Sequence, residues 1–274
     1  MSILSTRPDG AADPLVSALT AAGHRVLAVP TVALLPVEPP GALDRAVAEL
    51  SSFDWVVLTS AAGANAVVEA ARRRGPSEMD LEPPRWATVG RATAAVLEAA
   101  GVRVSLIPEI SRGAAITGAL LSAGPLAGSR ILLPRSDRAD GALPQALRAA
   151  GATVIEVVAY RTVEGPVTSE PALCEALAAP DLGAIILCSG SAVRGLVNLS
   201  AGADGPEATG VHPVVTATPL VSIGPSTSAA IREAGLQVAV EASRQSVEGL
   251  VAAVEELLAE PHPSSGRTPQ EVAS

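Results

Sequence analysis

Apolar residues fall in short runs separated by amphipathic stretches, and that alternation recurs from end to end of the chain. Residues 2–5 read as a short buried strand running into Thr6-Arg7-Pro8. Asp13-Pro14 then reads as an N-cap with proline at the first helical position. Leu15, Ala18, Leu19 and Ala22 follow at helical spacing, Gly23 ends the helix, and residues 25–29 form the next strand. The result is a βαβ unit. Downstream, the same reading predicts a helix near 42–50, a strand at 55–59, and a helix opened by Ser60-Ala61-Ala62-Gly63 that closes on Arg72–Arg74. Those arginines suit a helix C-terminus. Further units follow: a strand at 86–89, a helix at 92–100 closed by Gly101, a strand at 102–107 and a helix at 114–121.

The first unit then returns. Ile131-Leu132-Leu133-Pro134-Arg135, a helix through Leu143 and Leu147, and Gly151 repeat residues 3–23 at a period of ~128 residues. Arg135 stands where Arg7 stood. Residues 184–191 (AIILCSGS) parallel 55–62 (WVVLTSAA), 221–230 parallel 87–96, Gly235 parallels Gly101, and 238–241 with 247–258 complete the second copy. Alternating strands and helices predict parallel sheets with right-handed crossovers, hence two related α/β lobes.

Two β-rich runs, 29–38 (VPTVALLPVE) and 157–164 (VVAYRTVE), read as connectors that carry the chain out of one lobe and back. The first lobe is therefore discontinuous, 1–36 with 165–260, and the second is contiguous, 37–159. The loop 200–213 is Gly-rich and expected to be mobile, and 261–274 has the composition of a disordered tail.

Composition narrows the chemistry. The chain has 274 residues, 48% of them hydrophobic but only 1% aromatic, so its core is aliphatic. A net charge of −9 argues against a general nucleic-acid surface. All 19 basic residues are arginine, which excludes a lysine Schiff base, lysine-bound pyridoxal phosphate and a phosphate-loop lysine. Cys174 and Cys188 have no metal or redox spacing, Cys188 reads as a small core residue, and His24, His212 and His262 are scattered, so no metal site is expected. No stretch is apolar for long enough to span a membrane. Arg7 and Asp9 stand where a signal peptide needs its apolar core, which predicts a cytoplasmic protein.

In an open parallel sheet, ligands bind beyond the carboxyl ends of the strands, where helix N-termini converge. Four such ends stand out: Thr59-Ser60-Ala61, Thr88 to Gly90, Ser189-Gly190-Ser191, and Ile223-Gly224 with Ser226-Thr227. Exposed N–H groups at such turns suit carboxylates or phosphates. Taken singly each turn is also an ordinary N-cap, and both readings stand. Arg7 and Arg135, at equivalent strand ends, are placed to pair with carboxylates. Neither G-x-G-x-x-G nor G-x-x-x-x-G-K-[ST] follows these strands. Tyr160, the one tyrosine, either packs against the connectors or faces the cleft as a protonated donor.

With these residues in view, the chain to about residue 258 resembles the uroporphyrinogen-III synthase family. The resemblance is carried in order by STRP, VVLTSAAG, ATVG, ILLPRSDRADGALPQALRAAGATV, VVAYRTV, ILCSGSAV and SIGPSTSAAIREAG. It implies two flavodoxin-like lobes, a two-stranded connector and a tetrapyrrole cleft. It also implies a hydro-lyase without metal or organic cofactor. The implied substrate is hydroxymethylbilane, which loses its terminal hydroxyl as water and closes with ring D inverted, through an azafulvene cation and a spiro intermediate. Tyr160 is then the candidate acid, the four turns the carboxylate grips, and Arg7 and Arg135 their helpers. A monomer is the default, with at most a transient contact with the preceding pathway enzyme. The rival readings are a non-catalytic anion or tetrapyrrole sensor, a regulatory module derived from the synthase, and a glycosyltransferase, for which no ribose or diphosphate signature is found.

Overall fold

A computed structural model describes residues 1–8, 10–75, 84–108, 113–203 and 210–259. The expected tail 261–274, the centre of the loop 200–213 and most of the turn-rich stretch 75–84 lie outside the described residues. The chain divides into two compact units, Met1–Ala33 with Val163–Ser274, and Leu34–Thr162.

The first unit begins with β1 (Ser2–Ser5), α1 (Pro14–Ala21) and β2 (Arg25–Ala28). The chain continues through β3 (Val32–Pro36), α2 (Ala42–Ala48), β4 (Trp55–Leu58), α3 (Ala61–Arg73), β5 (Arg85–Thr88), α4 (Arg91–Ala99) and β6 (Val104–Leu106). There follow α5 (Gly113–Ser122), β7 (Arg130–Ser136), α6 (Ala142–Ala149) and the long β8 (Thr153–Glu164). The first unit then resumes with α7 (Glu170–Leu177), β9 (Leu182–Leu187), α8 (Gly190–Ala203), α9 (Pro213–Ala217), β10 (Leu220–Ser222), α10 (Pro225–Glu233), β11 (Val238–Glu241) and α11 (Val247–Ala259). The sequence pattern leaves out α7 and α9, which are short and open on proline. It also ends α8 too early, since residues 200–203 are helical. The strand part of the first connector is shorter than expected, Val32–Pro36. The second connector is the end of β8 rather than a separate strand.

Local signals account for the ends of α1. Asp13 accepts the Leu15 N–H at 2.9 Å with Pro14 in the first turn. Gly23, at φ +90°, donates to the Thr20 carbonyl, and His24 donates to that of Leu19. Gly151, at φ +89°, repeats this cap, with bonds from Gly151 to Arg148 and from Ala152 to Leu147. Only glycine takes this left-handed position without strain.

The repeat extends to strand pairing. The first unit's sheet runs β2-β1-β9-β10-β11 and the second's runs β3-β8-β7-β4-β5-β6. Matching β1 with β7, β2 with β8, β9 with β4, β10 with β5 and β11 with β6 superposes the orders, leaving β3 as the addition. The registers agree too. Ile3↔Ala184 answers Ile131↔Trp55, and Ser2↔Arg25 answers Arg130↔Thr153. Even an irregularity recurs, between Leu220 and Val221 in one sheet and between Trp86 and Ala87 in the other.

Each sheet is buried on both faces, so its central strands read as continuous apolar runs. In β4, Val56 and Leu58 join a core with Val67, Trp86 and Leu132, while Trp55 and Val57 join another with Ile116, Ile131 and Leu147. In the first unit, Leu4, Ile185 and Leu187 pack with α7 and α8, and Ile3, Ala184 and Ile186 with α1 and α11. Both tryptophans are core residues, Trp55 2% and Trp86 0% exposed.

Inside the first unit, the segments leading to and from the other unit are knit together against α8. Gly165 donates to the Thr31 carbonyl at 2.9 Å, and the Thr31 hydroxyl donates to the Ala192 carbonyl at 3.0 Å. Arg194 grips Glu164 through Nε and Nη2 (2.7 Å from Nη2 to Oε1), and Asn198 donates to the Glu164 carbonyl. This crossing needs glycine at position 195, because a Cβ there would lie 1.9 Å from the Thr31 carbonyl oxygen. Backbone on both sides leaves no easy relief. Gly195→Ala is therefore expected to cost about 2–3 kcal/mol, at the upper end of ordinary overpacking, read as a lowered urea midpoint. An unchanged midpoint would show that this packing yields.

Candidate active site on the second unit

Tyr160 lies near the end of β8, the strand next to β7, with its ring against the core that also holds Val157 and Ala159. Its hydroxyl stands 3.0 Å from Ser60 Oγ. Ser60 is the N-cap of α3, and its Oγ accepts the Gly63 N–H at 3.1 Å. One hydroxyl thus ends a 13-residue helix and touches the phenol. The Ala61 and Ala62 N–H groups of that first turn have no intrahelical partner, and with the helix dipole they give the region a positive character. Tyr160, Ala62, Asn65, Ala66, Leu34 and Val37 border a cavity of about 290 Å³. Arg73 and Glu69 also reach its wall, but Arg73 pairs with Asp44 (2.6 Å) and Glu69 with Arg72 (2.5 Å).

A second cavity, about 540 Å³, opens within the same unit beside Thr59 and Arg135. Leu143, Ala146 and Thr117 also line it. Thr117 Oγ1 is buried and has no hydrogen-bond partner among the described residues.

Both arginines expected to meet a ligand's carboxylates instead meet groups of the protein. Arg7 Nε donates to the fully buried Asp13 at 2.5 Å. Arg135, 8% exposed, pairs with Glu156 at 3.1 Å and donates to the Asp140 carbonyl. The reason is general: a guanidinium at a half-closed strand end is stable only when paired. Arg135 still borders its cavity, while Arg7 braces the start of α1. Burial pushes the Cys188 thiol up from its ordinary value despite neighbouring Arg7.

The remaining turns divide. Ser189 Oγ accepts the Ala192 N–H at 3.1 Å, which leaves Gly190 and Ser191 at the open first turn of α8. Gly90 caps α4 without a side chain. Thr88, however, is buried and its hydroxyl donates to the Gly90 carbonyl at 3.3 Å. Thr227 is buried as well, and its N–H donates to the Gly224 carbonyl. These two threonines shape their turns and do not face outward. Ile223 donates its N–H to the Leu187 carbonyl, and Ser226 is exposed. The Gln245 side chain packs on Gly224, since a Cβ at Gly224 would lie 2.7 Å from its Nε2. Sequence reasoning missed Asn65, Glu156 and Asp13 as partners at these sites. Of these, Asp13 had a signal, but only as a cap. Among the described residues no group of three or more His, Cys, Asp or Glu could hold a metal ion, and no helix is long and apolar enough to cross a membrane.

Two parallel α/β units with matching strand order, built on an internal repeat, with a strand-borne tyrosine on a helix N-cap and no dinucleotide or phosphate-loop motif after the strands, define a class of two-unit α/β proteins. The profile described as uroporphyrinogen-III synthase HemD matches residues 13–252. A uroporphyrinogen-III synthase of Synechococcus elongatus is 33% identical over 256 residues, 93% of this chain and 94% of that protein. One of Chlorobaculum parvum is 24% identical, over 86% and 91%. In solved structures, uroporphyrinogen-III synthase of Thermus thermophilus (a triple mutant) gives a TM-score of 0.61 at 18% identity, covering 94% of this chain and 98% of that one. The Helicobacter pylori protein gives 0.63 at 15%, covering 93% and 99%. The chain belongs to the uroporphyrinogen-III synthase family, a family of tetrapyrrole-synthesising enzymes.

Ser60→Ala removes the cap of α3 and the partner of the phenol. It is expected to lower stability by about 1 kcal/mol, the usual worth of a serine N-cap, measured by thermal denaturation against Ser60→Thr, which keeps a capping hydroxyl. Equal melting of all three proteins would show that the cap contributes nothing.

Proposed function

We propose that the chain converts hydroxymethylbilane to uroporphyrinogen III, acting as a hydro-lyase that needs no metal or organic cofactor. The observation that carries the reading is the Tyr160–Ser60 pair at the head of α3, beside a cavity in the second unit. Ser60 Oγ already accepts the Gly63 N–H, and its own proton is available to the phenol oxygen. Tyr160 can then direct its proton outward. Proton transfer to the terminal hydroxyl of the substrate lets the pyrrole nitrogen expel that group as water, leaving an azafulvene cation. The phenolate that develops is met by the Ser60 hydroxyl and the positive end of α3. A proton lost from the closing macrocycle returns to the phenolate, so the enzyme is regenerated.

The larger task is geometric. The open chain must be held so that closure passes through the spiro centre and inverts ring D. Such positioning can supply up to about 7–11 kcal/mol of a barrier. Within the second unit, the open first turns at Ser60-Ala61 and Gly90 supply N–H groups for the substrate's carboxylates; within the first, Gly190-Ser191, Gly224 and Ser226 offer donors of the same kind. Arg135 and Thr59, beside the larger cavity, add a polar wall in the second unit. Arg7 acts through Asp13 rather than on the substrate. The reading includes a monomer, in at most transient contact with the enzyme that supplies its substrate. Two free cysteines suit a reducing, cytoplasmic compartment.

The test is a coupled assay in which hydroxymethylbilane is generated in the presence of the protein and the oxidised products are separated into type I and type III isomers. Mostly type III is expected. Only type I with folded protein present would overturn the assignment. Tyr160→Phe is expected to lower kcat by about 100-fold, the lower end for loss of a general acid, with product binding unchanged. Unaltered turnover at saturating substrate would remove Tyr160 from this role.

A further inference from the structure

Strict alternation along β8 would turn Tyr160 away from Ser60. Val157 and Ala159 belong to the core on the α3 side of the sheet, whereas Val154 belongs to the core on the other side. A residue one step beyond Ala159 should therefore share the side of Val154. Yet Tyr160 packs with Val157 and Ala159 and meets the N-cap of α3. The reason is a bulge. β7 and β8 pair residue for residue from Arg130↔Thr153 to Arg135↔Val158, and then Ser136 pairs with Tyr160. Ala159 is the extra residue, and the bulge re-aims the next side chain.

Beyond the bulge, β7 ends at Ser136, while β8 continues to Glu164. The Asp137 side chain continues the ladder where the backbone of β7 stops. Its Oδ1 accepts the Thr162 N–H at 2.9 Å, and its own N–H donates to the Tyr160 carbonyl at 3.2 Å. Ser136 Oγ lies 2.8 Å from Thr162 Oγ1 and donates to Asp137 Oδ1 at 3.1 Å. Bonds of this kind close on both sides of the tyrosine. The Thr162 N–H, first, then Ser136 and nearby Arg138 and Arg161, hold the Asp137 carboxyl below the usual carboxylate range, so it is an acceptor at neutral pH.

We infer that Asp137 is a positioning residue for Tyr160: by accepting the Thr162 N–H it holds the β8 bulge that turns the phenol onto Ser60. This rests on the proposed role of Tyr160 for its kinetic consequence, but its structural content does not. The side chain of Asp137 is exposed, so its removal leaves both cores intact.

The only tyrosine of the chain gives a reporter free of overlap. With [ζ-13C]tyrosine, the protein shows one phenol-carbon signal, which Tyr160→Phe abolishes. Asp137→Ala is expected to move or broaden that signal and to lower kcat about 10-fold with KM little changed. Asp137→Asn, whose amide oxygen can accept the same N–H, is expected to restore both. An Asp137→Ala signal identical to the parent's would overturn the inference, and so would equal perturbation by Ala and Asn, which would assign the effect to charge alone. If Tyr160→Phe leaves turnover intact while Asp137→Ala still displaces the signal, the positioning stands and the acid role of Tyr160 fails.

Discussion

The end of β8 carries the tightest constraint in the second unit. This strand must complete a parallel ladder with β7, continue past the last residue of β7, and present a phenol to the head of α3. A regular strand cannot do all three, because its side chains alternate strictly between faces. The extra residue at Ala159 resolves the conflict, and the side chains of Ser136 and Asp137 supply acceptors and donors where the neighbouring backbone has ended. Tyr160, Ser60 and the first turn of α3 then form one connected group.

Charge is organised on the same principle. Arginines at the strand ends are held by the protein's own acceptors: Arg7 by Asp13, Arg135 by Glu156 and the Asp140 carbonyl. Arg148 shares Glu156 at 2.8 Å. A buried guanidinium left for an absent ligand would destabilise the resting protein. Helix N-termini carry no such penalty, since their N–H groups are solvated when no anion is present.

The internal repeat was legible because it left marks that depend on local chemistry. Gly23 and Gly151 end equivalent helices with the same pair of hydrogen bonds, and the apolar runs recur with the spacing of buried parallel strands. Strand order and register repeat with them in the folded sheets. Elements lacking such marks were missed: α7 and α9 are short, and the last turns of α8 cross a Gly-rich stretch. The strand ends themselves were legible, but the contacts of each residue on them were not. Ser60 and Thr88 look alike in sequence, since each is a hydroxyl residue at the end of an apolar run. In the fold one caps a helix under the phenol and the other turns inward to Gly90.

By itself the sequence determined the alternation of strands and helices, their parallel pairing, the repeat and the helix caps. All of these depend on residues near one another along the chain, or on periodicities that a buried strand or helix enforces. It also singled out Tyr160, through its uniqueness and its place on a connector. Only the tertiary structure decided which way Tyr160 points and what each arginine meets. The face of a side chain past a bulge, and the partner of a charge, are set by contacts such as Ser60 with Tyr160 and Asp137 with Thr162. Those contacts form when the sheet closes, and no periodicity along the chain encodes them.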